Sequence, residues 1–143
     1  MLTPMPADAP PTTSDTDSYD LVIVGAGTGG YSAAFRAAQL GLRVALVDQH
    51  KIGGTCLHWG CIPTKAMLES ADLLDKIRKA DQYGLIVSEA HGDPVAIATR
   101  RGQIVERLHK GLMSLVRKNK VDYIRGTAML EGATTIRVST IDA

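Results

Sequence analysis

The chain has 143 residues, enough for one domain around one core, and its 45% hydrophobic content must be mostly aliphatic because aromatics make up only 4%. A net charge of +1 leaves no electrostatic footprint for nucleic acid or an acidic membrane surface. No apolar run approaches the length that spans a bilayer.

Residues 1–18 hold four of the six prolines and no Lys or Arg. They lack the basic start and apolar core of a secretory signal and the Arg-rich pattern of a mitochondrial presequence, so a disordered tail on a cytoplasmic protein is expected. Leu21-Val22-Ile23-Val24 reads as a buried parallel strand. It runs into Gly25-Ala26-Gly27-Thr28-Gly29-Gly30, a G-x-G-x-x-G with Gly25, Gly27 and Gly30 in its three slots. An Ala-rich helix over Tyr31–Leu40 follows and stops at Gly41. Val44–Val47 is the next buried strand, with Asp48 at its carboxyl end. Strand, glycine turn, helix and strand make a βαβ unit.

Thr64–Lys79 reads as a helix with Met67, Ala71, Leu74 and Ile77 as its apolar stripe. Asp93-Pro94 starts another, capped by Asp93 and reaching about Lys118, with Ile104, Val105, Leu108, Leu112 and Leu115 on the expected buried face. Arg117, Lys118 and Lys120 suit the negative end of that helix and need no nucleic-acid partner. Val121–Ile124 and Ile136–Val138 read as strands, with a turn at Glu131–Thr134.

The glycine fingerprint has a physical logic. Gly25 allows the tight turn, Gly27 lets backbone approach a pyrophosphate, and Gly30 lets helix and strand pack closely. Free amides at the helix start then face the phosphates. Asp48, eighteen residues after Gly30, can accept hydrogen bonds from ribose hydroxyls. These features point to a dinucleotide without separating FAD from NAD.

Both cysteines lie in Gly53-Gly54-Thr55-Cys56-Leu57-His58-Trp59-Gly60-Cys61-Ile62-Pro63-Thr64-Lys65 as C-x4-C. On an ideal helix, positions i and i+5 are about 140° apart and their Cα atoms nearly 9 Å apart, roughly 2 Å beyond the reach of a disulfide. A bridge therefore needs a distorted backbone, for which Gly60 and Pro63 are the expected means. Cys61 lies just before the long helix, whose dipole favours a thiolate, and Lys65 shares its helical face. Two other readings stand beside a redox pair: buried free thiols, and a zinc site using Cys56, His58 and Cys61, for which no fourth ligand is evident.

These motifs resemble the FAD-dependent pyridine nucleotide–disulfide oxidoreductases, and the cysteine segment is most similar to the dihydrolipoyl dehydrogenase branch. Glutathione and mercuric reductases are similar but tend to have Val where Ile62 stands. His58-Trp59 departs from the Asn-Val often found there. The resemblance covers about Tyr19–Val138 and implies an α/β fold: a Rossmann-like FAD-binding domain over 19–143, with a parallel sheet and a C-terminal β-hairpin, incomplete as encoded. It implies that the fingerprint binds FAD and that Asp48 takes its ribose, where many members carry Glu. Gly54 and Thr55 would approach the phosphates, and the backbone of Gly126-Thr127-Ala128 the adenine. Cys56 would exchange with the dithiol, Cys61 would face the flavin, and Lys65 would sit near its reactive nitrogen. The implied reaction oxidises dihydrolipoamide, carried on the lipoyl domain of a 2-oxo acid dehydrogenase complex, with electrons passing through the cysteines and FAD to NAD⁺. Full-length members are homodimers and several times longer. A second glycine fingerprint for NAD and the His-Pro segment of the interface domain are not found here, so an N-terminal fragment, inactive alone, is expected. The alternatives are a stand-alone nucleotide-binding or thiol redox-sensing module, or another disulfide reductase of the mercuric or glutathione reductase kind.

Overall fold

A computed structural model describes residues 17–141. Most of the expected N-terminal tail lies outside the described residues. Strand β1 (Leu21–Val24) leads through the glycine turn into helix α1 (Thr28–Gln39) and strand β2 (Val44–Asp48). Two helices follow, α2 (Gly54–His58) and α3 (Cys61–Arg78), then a short 3-10 turn at Ala80–Tyr83. Helix α4 (Pro94–Lys118) leads into the strands β3 (Asp122–Leu130) and β4 (Ile136–Thr140).

The sheet order is β1-β2-β3-β4. β1, β2 and the first half of β3 run parallel, with Val24 beside Val47 and Asp48 beside Arg125. From Gly126 onward β3 pairs instead with β4, antiparallel, to form the hairpin. Gly126 sits where β3 changes partner, and a Cβ there would meet the Ser139 carbonyl oxygen at 2.6 Å. The result is the expected Rossmann-like α/β arrangement. β3 runs six residues past the expected end at Ile124, because hairpin pairing with β4 continues the ladder as far as Leu130.

β2 is the centre of the core. Val44, Ala45, Leu46 and Val47 are all buried, and Val44 and Leu46 share one cluster with Ala34 and Ala37 of α1 and Val116 of α4. Small Ala side chains on α1 let that helix lie close to the sheet. α1 begins three residues before the expected Tyr31, because its first turn is the second half of the glycine fingerprint. It ends in a Schellman motif: the Gly41 amide donates to the Ala38 carbonyl (3.0 Å) and the Leu42 amide to the Ala37 carbonyl (3.2 Å), with Gly41 at φ 91°. Asp93 caps α4 as expected, accepting from the Val95 amide at 2.8 Å and the Ala96 amide at 3.1 Å.

The expected apolar stripes are only partly buried. On α3 the buried positions are Pro63 and Ala66, while Met67 and Ala71 are exposed. Polar Ser70, whose hydroxyl donates to the Ala66 carbonyl, lies on the covered face, where Arg100 of α4 also reaches that carbonyl (2.9 Å). On α4, Leu112 packs against the core and Val116 is buried, but Leu108 and Leu115 are exposed.

Candidate active site

The glycine turn does what its spacing requires. Gly25 leaves β1 at φ 101°, and its amide donates to the Val47 carbonyl (2.7 Å). A Cβ on Gly30 would lie 1.8 Å from the Gly25 carbonyl oxygen, so that glycine is a packing requirement. Gly27 differs: φ is an ordinary −70°, and a Cβ would meet nothing within 4 Å. Its side opens onto free space at the start of α1. Among the described residues, the amides of Gly27, Thr28, Gly29 and Gly30 donate to no protein acceptor, and no side chain caps the helix. A set of unpaired donors at a positive helix end is chemistry for a phosphate.

Asp48 stands at the end of β2, half-buried. One carboxylate oxygen accepts from the Ala26 amide at 2.6 Å and the other from the His50 amide at 2.7 Å. The carboxylate thus braces the glycine turn, and because an ionised carboxylate has about four lone-pair sites, acceptor capacity remains for ribose hydroxyls. Tyr123 of β3 closes the same corner, its hydroxyl donating to the His50 carbonyl (2.6 Å). Burial first, and the Asp48 charge second, push the Tyr123 phenol above its ordinary value of 10.0. Ala128 is half-buried opposite Val138 on the hairpin half of β3. It lies three residues, about 10 Å, beyond Arg125, the partner of Asp48.

The cysteine segment is joined directly to this turn. Gly53 (φ 111°) and Gly54 (φ 58°) both occupy the left-handed region. The Gly53 amide donates to the Ala26 carbonyl (2.8 Å), and a Cβ on Gly54 would come within 2.9 Å of the Gly27 Cα. The two glycine loops meet backbone to backbone. Thr55 is exposed in the first turn of α2, which carries Cys56.

Cys56 and Cys61 form a disulfide with a Cα–Cα distance of 4.6 Å. The distortion that permits it is a break between two helices. α2 ends at His58, Trp59 and Gly60 leave helical geometry, and Cys61 is the first residue of α3. Gly60 makes the close approach, since a Cβ there would lie 3.1 Å from the Thr55 carbonyl oxygen. Pro63 has a different part from the expected one. It sits in the first turn of α3, where its missing N–H would be unpaired anyway, and Ile62 before it remains helical. Starting α3 at Cys61 rather than Thr64 puts that sulfur at the positive end of an 18-residue helix. Lys65 is exposed one turn further on. No cluster of three or more His, Cys, Asp or Glu able to hold a metal ion occurs among the described residues, and no described helix is long and apolar enough to cross a membrane.

The spacing pattern gave no sign of His58's role. Its Nε2 donates to the Ile52 carbonyl (2.9 Å). Its ring packs against Trp59 and against His109 of α4, each with centroids 5.4 Å away. The contact with His109 joins residues fifty-one positions apart, which no local periodicity reveals.

The site lies at the carboxyl ends of the parallel strands, where ligands bind in open α/β sheets. It combines phosphate-ready amides, a carboxylate for a ribose and a disulfide whose helix abuts the turn. These residues fit a dinucleotide.

The sequence profile of the family described as pyridine nucleotide-disulphide oxidoreductase matches residues 19–143. The dihydrolipoyl dehydrogenase of Zymomonas mobilis is 44% identical over 126 residues, covering 88% of this chain and 27% of that protein. Those of Rhizobium etli and Bacillus subtilis are each 46% identical, over 115 and 114 residues, covering 80% of this chain and 24% of theirs. The chain spans about a quarter of the length of the relatives it matches.

Proposed function

Because the chain belongs to the pyridine nucleotide–disulphide oxidoreductase family, we infer that residues 19–143 form the FAD-binding and redox-disulfide part of a dihydrolipoyl dehydrogenase. The observation that carries this reading is the Cys56–Cys61 disulfide, held by Gly53 and Gly54 against the dinucleotide turn. Gly25, Gly27 and Gly30 shape the phosphate turn, Gly54 and Thr55 flank it, Asp48 takes the ribose and the backbone at Ala128 the adenine. Lys65 places a cation one turn from Cys61. The compartment is the cytoplasm. The whole enzyme is a homodimer, and its substrate is dihydrolipoamide on the lipoyl domain of a 2-oxo acid dehydrogenase complex.

The two sulfurs are not equivalent. Cys61 starts the long helix α3, whose dipole stabilises a thiolate, whereas Cys56 lies inside a five-residue helix. Cys61 is thus the better leaving group. A substrate thiolate attacks Cys56 Sγ; a substrate–Cys56 disulfide forms, the Cys56–Cys61 bond breaks, and Cys61 departs as thiolate. The second substrate thiolate then attacks the substrate sulfur of that mixed disulfide, closes the substrate ring and expels Cys56. Two electrons pass from the dithiol to the cysteine pair, and the two thiol protons go to solvent. A flavin bound at this site would supply the two-electron acceptor that restores the disulfide, with NAD⁺ as the terminal oxidant.

The test is a visible spectrum of the purified chain after incubation with FAD. Yellow protein that gains a long-wavelength band on dithiol reduction is expected. The band should survive Cys56→Ser, which leaves the Cys61 thiolate, and vanish in Cys61→Ser. A chain that retains no FAD sinks the reading, and a band lost equally in both variants sinks the assignment of the sulfurs. Dihydrolipoamide-dependent NADH production is expected to be absent from this chain alone.

A further inference from the structure

His58 lies on the same short helix as Cys56, but two residues away, and side chains at i and i+2 of a helix do not face each other. The imidazole points instead at the backbone before α2, where Nε2 meets the Ile52 carbonyl oxygen at 2.9 Å. That carbonyl and the Gly53 amide belong to one peptide unit. The Gly53 amide donates in turn to the Ala26 carbonyl at 2.8 Å. The Ala26 carbonyl and the Gly27 amide are likewise one peptide unit, and the Gly27 amide is among the free donors of the phosphate turn. There are no cis peptides among the described residues, so in each unit C=O and N–H point in opposite directions. The imidazole N–H, the Ile52–Gly53 peptide and the Ala26–Gly27 peptide therefore form one head-to-tail series of dipoles. Its last N–H, that of Gly27, donates to no protein acceptor among the described residues.

We propose that His58 is a positioning residue that links the cysteine helix to the cofactor's phosphates through these two peptide units. The proposal rests on the reading of the glycine turn as a dinucleotide site. Donation from His58 fixes the Ile52–Gly53 peptide plane and polarises it, and a polarised peptide donates more strongly to the next. The ring also contacts Trp59, tilted at 51°, and His109, in a T-shaped arrangement. Ile52 is fully buried, so its carbonyl has no water to turn to if the imidazole is removed.

Two variants of the full chain test this. His58→Phe keeps a ring beside Trp59 and His109 but lacks the donor; His58→Gln supplies an N–H of similar reach. FAD affinity, read from quenching of flavin fluorescence, should fall about three- to tenfold in H58F and return to within about twofold of wild type in H58Q. A ligand-free measurement runs beside it. In ¹⁵N amide spectra H58F should move the Gly53 and Gly27 resonances and leave those of the β3–β4 hairpin, with H58Q restoring them. Unchanged FAD affinity and unchanged Gly27 and Gly53 amides in H58F would overturn the proposal. If H58F does not fold, the wild-type chain still decides: His58 must carry its proton on Nε2, and an imidazole protonated on Nδ1 alone refutes it. A wild-type chain that binds no FAD, but whose amides respond as stated, would discard the dinucleotide reading and keep the link between helix and turn.

Discussion

Single residues in the fingerprint separate by what they touch. Gly27 and Gly30 look equivalent in the G-x-G-x-x-G, yet one faces open space and the other a carbonyl oxygen. Gly27→Ala should fold with stability within about 0.5 kcal/mol of wild type while losing at least about tenfold in FAD affinity, because on the proposed reading the methyl would enter the space left for the phosphates. Gly30→Ala should cost about 1–3 kcal/mol in urea unfolding, since a methyl driven into the Gly25 carbonyl forces strand and helix apart. Equal stability loss in the two variants would refute the division of roles. Tyr123 gives a second test. Its phenol holds its proton more tightly in the folded chain than in the unfolded one, where the value is 10.0. The corresponding stability is complete below that value and is lost as pH rises through and beyond it. Urea midpoints should therefore fall from about pH 9 to about pH 11, and less steeply in Tyr123→Phe. Part of the fall should survive that substitution, because Tyr19 is also raised, by burial first and by Asp122 and Asp17 next.

Elements were legible in the sequence wherever their signals were local. The βαβ unit, the Asp93 cap and the Gly41 stop follow from residues within one turn of each other, and all appear. The break between α2 and α3 was less legible. A five-residue helix that opens with two left-handed glycines reads as a loop, and Pro63 draws attention from Gly60, which actually permits the close approach. The first half of the α3 stripe, Met67 and Ala71, was misplaced by about one residue while Leu74 and Ile77 are half-buried, because the covered face there includes Ser70, which shares the Ala66 carbonyl with Arg100 from another helix. The end of α4 holds a further case. Lys120 occupies the left-handed region at φ 53°, in the slot after the cap where glycine is preferred. The Val121 amide donates to the Val116 carbonyl at 3.1 Å and the Lys120 amide to the Arg117 carbonyl at 3.1 Å, which completes the motif. Lys120→Gly should raise stability by about 0.5–1 kcal/mol, read as a higher thermal midpoint; a lower midpoint would show that the lysine side chain has a compensating contact.

Across the whole molecule, the parallel strands deliver the phosphate turn and Asp48 to one end of the sheet, and the two glycine loops bring the disulfide to that same end. Apolar side chains remain uncovered elsewhere: Val24 on β1 is 58% exposed, and Met129 and Leu130 on the hairpin 64% and 75%. Such surfaces suit burial against further protein. The disulfide itself spans a sequence separation of only five. Opening so small a ring gives the unfolded chain little new freedom, worth about 2 kcal/mol against nearly 5 kcal/mol for a hundred-residue loop. Cys61→Ser should therefore shift the urea midpoint by no more than about 2 kcal/mol in stability, and the variant should stay folded. A bond of this kind is no rivet. The architecture bears its own weight on β2 and its helices, so opening the sulfur–sulfur link leaves the scaffold around it standing.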